Sequence, residues 1–175
     1  MRVRHDGDRD GFEARRSTSK ANGKLRGLGI SSFLETSRGA PQEGAEVRFA
    51  SDGQIELRVG TESNGQGHET SYKQIAGSRF GLPMEAFTYI QADTRKTRTG
   101  FGHGGARSMH MGGGAMMHAI DEVLEKARDV AARLLQADAD GLSYADGAFS
   151  VTATGQSVSL ADVAVEAEGS LDTFV

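Results

Sequence analysis

The sequence predicts an α+β fold: a mixed sheet with β-hairpins, packed against one long and one or two shorter helices. Three observations predict it. Ala45, Val47 and Phe49 alternate with polar residues, as do Ile55, Leu57 and Val59, and Ser51-Asp52-Gly53 lies between the two runs. An Asp-Gly turn between alternating runs signals a hairpin, because glycine accepts the positive φ that the turn needs. Tyr72, Ile75, Ala76 and Phe80 fall on one helical face, with Gly81 and Pro83 placed to end the helix. Met116, Ile120, Val123, Leu124, Ala127, Ala131 and Leu134 form the apolar stripe of a long helix at about residues 112–137.

The elements follow in order. Residues 1–10 are charged and are expected to fray. Asp10 is placed to cap a short helix over residues 10–22 that carries Phe12 and Ala14. Residues 27–33, with Leu28 and Ile30, read as a strand, and residues 38–44 as a loop. After the first hairpin come a loop at 61–67, the helix at 69–80 and a strand at 87–91. That order suggests a βαβ-type unit. A Gly-rich loop at 100–105 leads to the long helix, whose wet side offers the four-apart pairs Glu122–Lys126 and Asp129–Arg133. Leu142 and Tyr144, the Asp146-Gly147 turn, then Phe149 and Val151 predict a second hairpin. Ser159 is placed to cap a last short helix through Val165. Residues 168–175 carry no terminating signal and read as a chain cut in mid-course. Three regions are therefore expected: a charged segment with a short helix at 1–26, the α+β domain at 27–167, and a truncated tail at 168–175.

Composition narrows the function. A chain of 175 residues suits one domain. With 24 Gly and only 2 Pro, tight turns and close backbone approaches are expected rather than a Pro/Gly linker. There is no Cys, which excludes disulfides, iron–sulfur ligation and a thiol nucleophile within the chain. No apolar run approaches membrane-spanning length, and no apolar export signal follows the polar N-terminus, so a cytoplasmic location is expected. Residues 1–26 hold eight Lys/Arg against four Asp/Glu, and residues 136–175 hold seven Asp/Glu and no Lys/Arg. No aromatic residues interleave the basic ones, so solvated faces are expected rather than nucleic-acid binding.

Two loops have the composition of ligand sites. The first is Ser63-Asn64-Gly65-Gln66-Gly67-His68-Glu69-Thr70, immediately before a helix. Glycines admit a close ligand, the helix start offers N–H groups, and a Gln side chain suits a polar planar edge. An ordinary strand-to-helix turn would look the same. The second is Gly100-Phe101-Gly102-His103-Gly104-Gly105-Ala106-Arg107-Ser108, followed by Gly112-Gly113-Gly114. Successive N–H groups can form an anion nest, Arg107 offers a fork for phosphate and Ser108 a hydroxyl. The alternative is a flexible Gly-rich lid. No Gly-Lys-Ser/Thr follows, so this is not a Walker loop.

His68, His103, His110 and His118 lie in or near these segments, but none forms a zinc-type spacing, and no metal-ligating set is expected. Met109, Met111, Met116 and Met117 suit packing. No Gly-x-Ser-x-Gly elbow supports a hydrolase. No catalytic residue is assigned.

Gly65-Gln66-Gly67-His68-Glu69-Thr70, with Gln74 downstream, resembles the Gly-Gln-Gly-His segment of molybdenum hydroxylase large subunits, the xanthine dehydrogenase, aldehyde oxidase and carbon monoxide dehydrogenase family. Gly104-Gly105-Ala106-Arg107-Ser108 is similar to that family's Gly-Ser-Arg-Ser segment. Gly11-Phe12-Glu13-Ala14-Arg15-Arg16 and Gly23-Lys24-Leu25-Arg26-Gly27-Leu28-Gly29 resemble the stretch leading into the second molybdopterin-binding domain. The resemblance runs from about residue 10 to 172. It implies that Asn64, Gly65, Gln66 and Gly67 meet the pterin side of a molybdopterin cofactor, and that Gly104, Gly105, Ala106, Arg107 and Ser108 meet its phosphate or cytosine dinucleotide side. It also implies a molybdenum-dependent oxidoreductase whose other partners are the remaining halves of the molybdenum subunit and iron–sulfur and flavin subunits. The family's catalytic Glu belongs to a later Gly-x-Gly-Glu segment that this chain lacks, and the first cofactor-binding half is absent too. Inactivity alone and self-association through uncovered apolar surface are expected. Phe101-Gly102 and His103 stand where relatives often carry Tyr-Gly, and Met109 where a small residue is usual. Two other readings stand beside this one: a non-catalytic binding or assembly module of the same ancestry without molybdenum, and an anion- or nucleotide-binding protein of another family.

Overall fold

A computed structural model describes residues 11–29, 31–34 and 42–175. The chain divides into two compact units, residues 1–35 and 36–175.

In the first unit, α1 spans Phe12–Ala21 and buries none of its residues. Gly11 is its N-cap and makes no side-chain cap hydrogen bond; the expected cap, Asp10, lies outside the described residues. Glu13 in the first turn and Lys20 in the last oppose the helix dipole. The strand expected at 27–33 is absent from the described residues 27–29 and 31–33, and Leu25, Leu28, Phe33 and Leu34 are exposed. An alternating sequence becomes a strand only when an edge pairs with it and a face covers it. Neither occurs among the described residues of this unit.

The second unit is built on a four-stranded mixed sheet, in the order β3 (Phe87–Gln91), β2 (Ile55–Val59), β1 (Ala45–Phe49) and β7 (Thr173–Phe174). β1 (Ala45–Phe49) and β2 (Ile55–Val59) form the expected hairpin, with Ala45 opposite Val59 and Phe49 opposite Ile55. Gly53 takes φ 86°, and Asp52 accepts a hydrogen bond from the Gln54 N–H at 3.0 Å. β2 leads through α2 (His68–Phe80) to β3 (Phe87–Gln91), which pairs with β2 in parallel, completing the βαβ unit. α3 (Gly113–Leu135) packs across β1 and against α2. Met116, Ala119, Ile120, Val123, Ala127, Val130 and Ala131 are its buried stripe, whereas Leu134 is exposed. The small residues in that stripe let the helix lie close to the sheet. Val47 and Leu57, both 0% exposed, fill the other side, and each such burial is worth roughly 1.5–3 kcal/mol.

The second hairpin pairs β4 (Leu142–Ala145) with β5 (Ala148–Val151), and a short β6 (Ser157–Ser159) adds to β5. Ser159 caps α4 (Leu160–Glu166), accepting from the Asp162 N–H at 3.1 Å. Residues 168–175, set apart in the sequence as a tail, bury Leu171 and supply β7 (Thr173–Phe174), which pairs with β1. Lys126 does not rest on its own helix: its Nζ donates to Thr173 Oγ1 at 2.8 Å.

The two faces of the main sheet differ. The helix side is apolar. On the other, Glu46 is buried and lies within 4.0 Å of Arg48, 3.7 Å of Arg58 and 3.4 Å of Arg98. Three guanidinium groups around one carboxylate supply the compensation that a buried charge requires.

Candidate functional site

β2 and β3 run in parallel with Val59 beside Gln91, so both release their following loops at the same end. Loop one, residues 61–67, leaves β2 and enters α2. Loop two, residues 100–107, returns beside it. A Cβ on Gly60 would overlap the main chain of Thr99 and Gly100, and one on Gly100 would lie 2.5 Å from the Gly60 carbonyl oxygen. Only glycine permits this contact, which joins the bases of the two loops.

Loop one is tied by its own side chains. Gln66 Oε1 accepts from the Asn64 N–H and from Ser63 Oγ at 3.3 Å. Gln91 Oε1 accepts from the Ser63 N–H at 2.8 Å. Asn64, Gly65, Gln66 and Gly67 are all exposed, and a Cβ on Gly65 or Gly67 would meet nothing within 4 Å. Gly67 is the N-cap of α2 at φ 78° and gives no side-chain cap, so the first N–H groups of α2 keep their capacity to donate.

Loop two is tied from elsewhere. Arg107 is buried, and its Nη1 donates to the Glu43 carboxylate and, at 3.1 Å, to Gly102 O; its Nη2 donates to Gln42 O. Phe101 lies over the guanidinium at 5.3 Å. Gly105 and Ala106 both take left-handed φ, 70° and 58°. Gly104 and Ala106 are exposed, and space above Gly104 is open. Arg107 leads into a π-helical turn, Ser108–Gly112, that opens α3.

Side chains then bridge the loops. Asn64 Nδ2 lies 2.7 Å from His103 Nε2, and His103 Nδ1 lies 3.4 Å from Glu62 Oε1. Donation by the Asn64 amide requires an unprotonated Nε2, which puts the proton of a neutral His103 ring on Nδ1. Beneath them Tyr72 OH donates to Ser108 O at 2.5 Å and lies 3.3 Å from Thr61 Oγ1. Burial pushes the Tyr72 hydroxyl pKa up, so it stays a donor. Burial, and then the nearby His103, lower the His68 pKa, which keeps that ring neutral.

Three buried polar atoms at this junction, Ser108 Oγ, His68 Nδ1 and His103 Nδ1, have no hydrogen-bond partner among the described residues. A buried polar atom left unpaired costs about 1–3 kcal/mol, so each of these calls for a partner beyond the described protein atoms. The open space over the glycines, the uncapped α2 and these atoms fit a polar, anionic group with a planar part. Arg107 and Glu43 oppose each other's charge, so N–H dipoles supply most of the attraction for an anion here.

Of the residues singled out in the sequence, the structure gathers Asn64 to Gly67 and Gly104 to Ser108 at one end of the sheet. His110 and His118 instead line a groove along α3 with Gln42 and Met111. Glu43, Thr61, Tyr72 and Gln91 were not anticipated. The parallel pairing of β2 and β3 would have pointed to Gln91, since side chains at the carboxyl ends of parallel strands face the loops that follow.

Residues 2–173 match the family model described as Molybdopterin cofactor-binding domain. The chain is 32% identical over 171 residues to the nicotine 6-hydroxylase large subunit of Paenarthrobacter nicotinovorans, covering 90% of this chain and 21% of that one. It is 29% identical over 150 residues to the carbon monoxide dehydrogenase large chain of Hydrogenophaga pseudoflava, covering 79% and 19%. Among solved structures, quinoline 2-oxidoreductase from Pseudomonas putida 86 superposes with a TM-score of 0.69 at 27% identity, covering 95% of this chain and 24% of that one. The chain thus spans about a fifth of the length of the relatives it matches. A family match over nearly the whole chain and a fold shared with these enzymes lead to one conclusion: the chain belongs to the molybdopterin cofactor-binding domain family of molybdenum hydroxylase large subunits.

Proposed function

We propose that this chain grips the pyranopterin and the phosphate of a molybdopterin cofactor between its two loops, as one segment of a larger hydroxylase-type oxidoreductase. Asn64, Gly65, Gln66 and Gly67 face the pterin. The segment Gly104, Gly105, Ala106, Arg107 and Ser108 faces the phosphate, and a cytosine dinucleotide extends along the same side. The observation that carries the reading is the meeting of both loops over the buried, unpartnered polar atoms Ser108 Oγ and His68 Nδ1.

The residues divide the task by chemistry. Gln66 is exposed, and its Oε1 shapes the loop. The α2 start and the left-handed Gly105 and Ala106 present N–H groups, which favour an anion without adding a net charge. When bound, the cofactor supplies molybdenum redox chemistry. The chain's own part is orientation and exclusion of water, because the Gly-x-Gly-Glu segment that would move protons is not among its residues. Activity therefore depends on the remaining halves of a molybdenum subunit and on iron–sulfur and flavin partners that carry electrons away, in the cytoplasm. No helix among the described residues is long and apolar enough to cross a membrane.

The test is molybdenum content and oxidised-pterin fluorescence of the protein purified from cells that make the cofactor, alone and with its partner segments. Stoichiometric pterin and molybdenum are expected with the partners present. Their absence under both conditions would leave a non-catalytic assembly module of the same ancestry.

A further inference from the structure

Arg107 stands in the phosphate-side segment, and its sequence position invites a fork around a phosphate. Its side chain is 2% exposed, and that of its partner Glu43 is 0% exposed. The two residues are 64 positions apart in the chain. Nη1 also reaches Gly102 O within its own loop, and Nη2 reaches Gln42 O beside Glu43. A guanidinium presents its donors in a fixed plane. Here both terminal nitrogens point to protein acceptors, on the two segments that the residue joins. The Phe101 ring covers one face at 5.3 Å.

The backbone gives an independent sign of tension. Ala106, the residue immediately before Arg107, takes φ 58°, a conformation that a side chain disfavours. Such a residue persists when its surroundings over-determine it. Arg107 fastens one side of it and the Gly60–Gly100 contact fastens the base of its loop.

We infer that Arg107 is a positioning residue rather than a phosphate ligand. Paired with Glu43, it pins loop two to the chain leading into β1 and holds Gly105 and Ala106 in the left-handed conformation that turns their N–H groups outward. The phosphate contacts then come from main-chain N–H groups of Gly104, Gly105 and Ala106 and from Ser108 Oγ. The identity of the ligand rests on the proposed function; the pinning does not.

The experiment compares wild type, Glu43→Gln, Arg107→Gln, both together, and the apolar pair Glu43→Leu/Arg107→Met. Each is made as the full chain with its partner segments in molybdopterin-producing cells. Thermal unfolding, amide exchange over residues 100–107 and pterin content are read for each. A buried ion pair exchanged for an apolar pair of like volume often holds a structure as well, whereas loss of one partner leaves an uncompensated charge. The expected result is that Glu43→Gln, which leaves Arg107 intact, loses pterin about tenfold, as Arg107→Gln does, and that the apolar pair returns to within about twofold of wild type in every readout. Retention of pterin by Glu43→Gln with loss in Arg107→Gln would overturn the inference. So would an apolar pair that melts like wild type yet carries no pterin. If the apolar pair does not fold, the two Gln variants and their combination decide by melting: a double variant no worse than either single supports the pin, and additive losses refute it. Wild type without pterin would refute the cofactor reading alone, and the same melting cycle would still decide the pin.

Discussion

Loop one and loop two lie side by side and both carry left-handed glycines, but they are held in opposite ways. Loop one closes on itself: Gln66, two to three residues from the groups it binds, ties Ser63 and Asn64, and Gln91 secures Ser63 from the adjoining strand. Loop two has left-handed glycines and an alanine in series, and its main anchor is a buried ion pair to Glu43. A self-tied loop forms whenever its own few residues are in place. A loop anchored from afar forms only when the domain around it has folded. Loop one should therefore tolerate damage elsewhere in the domain, and loop two should report it.

The largest break of that contrast is Gly60→Ala. The new Cβ would overlap main chain at Thr99 and Gly100, which have no flexible end to move aside. A loss of about 3 kcal/mol in denaturant unfolding is expected, at the upper end for overpacking. Amide exchange should rise across 97–107 and stay low across 61–67. Gly104→Ala is its control: nothing lies within 4 Å of its Cβ, so stability should move by less than about 0.5 kcal/mol while pterin content falls.

Tyr72→Phe removes the hydroxyl that joins Thr61 of loop one to Ser108, the residue that follows loop two. The Ser108 carbonyl loses a buried donor, and urea titration should show a loss of about 1–2 kcal/mol. Equal exposure of both loops in that variant would contradict the claim that loop one is self-held.

Smaller still is the effect of pH through His68. Its folded pKa lies below the ordinary 6.5 because burial opposes the charge. Above 6.5 the ring is neutral in both states and the folded protein has its full stability. As pH falls below that value the unfolded chain takes up a proton that the folded ring refuses, and stability declines until pH passes the lowered folded pKa. Thermal melts from pH 7.5 to 5 should show this slope, reduced in His68→Gln; an unchanged slope would assign it to other groups.

The smallest effect is His103→Ala, which cuts the exposed contact to Asn64 and frees Glu62. A change under about 0.5 kcal/mol is expected, as for exposed pairs, with faster exchange confined to 102–105.

The sequence was most legible where local pattern and burial agree. Asp52-Gly53 and Asp146-Gly147 marked hairpins because the backbone angles those turns need favour few residues. Tyr72, Ala76 and Phe80 marked α2 because one face is wholly buried. β6 and β7 were illegible: three residues and two residues cannot display a period. The strand expected at 27–33 shows the converse, since Leu28 and Phe33 have the right character but no described partner to cover them. At the site, Gly65-Gln66-Gly67 could be read as a ligand loop because its ties are local. The part played by Arg107 could not, because Glu43 lies far off in sequence and only the folded sheet brings it near.

Val175 and Ala45 exchange main-chain hydrogen bonds, at 3.2 Å and 3.0 Å. The start of β1 and residue 175 are therefore neighbours. A short linker of glycine and serine could join residue 175 to the segment before β1, and the Ser51-Asp52-Gly53 turn could serve as new termini. The Glu43 anchor would then follow the linker directly, near the new C-terminus and just before the strand it serves.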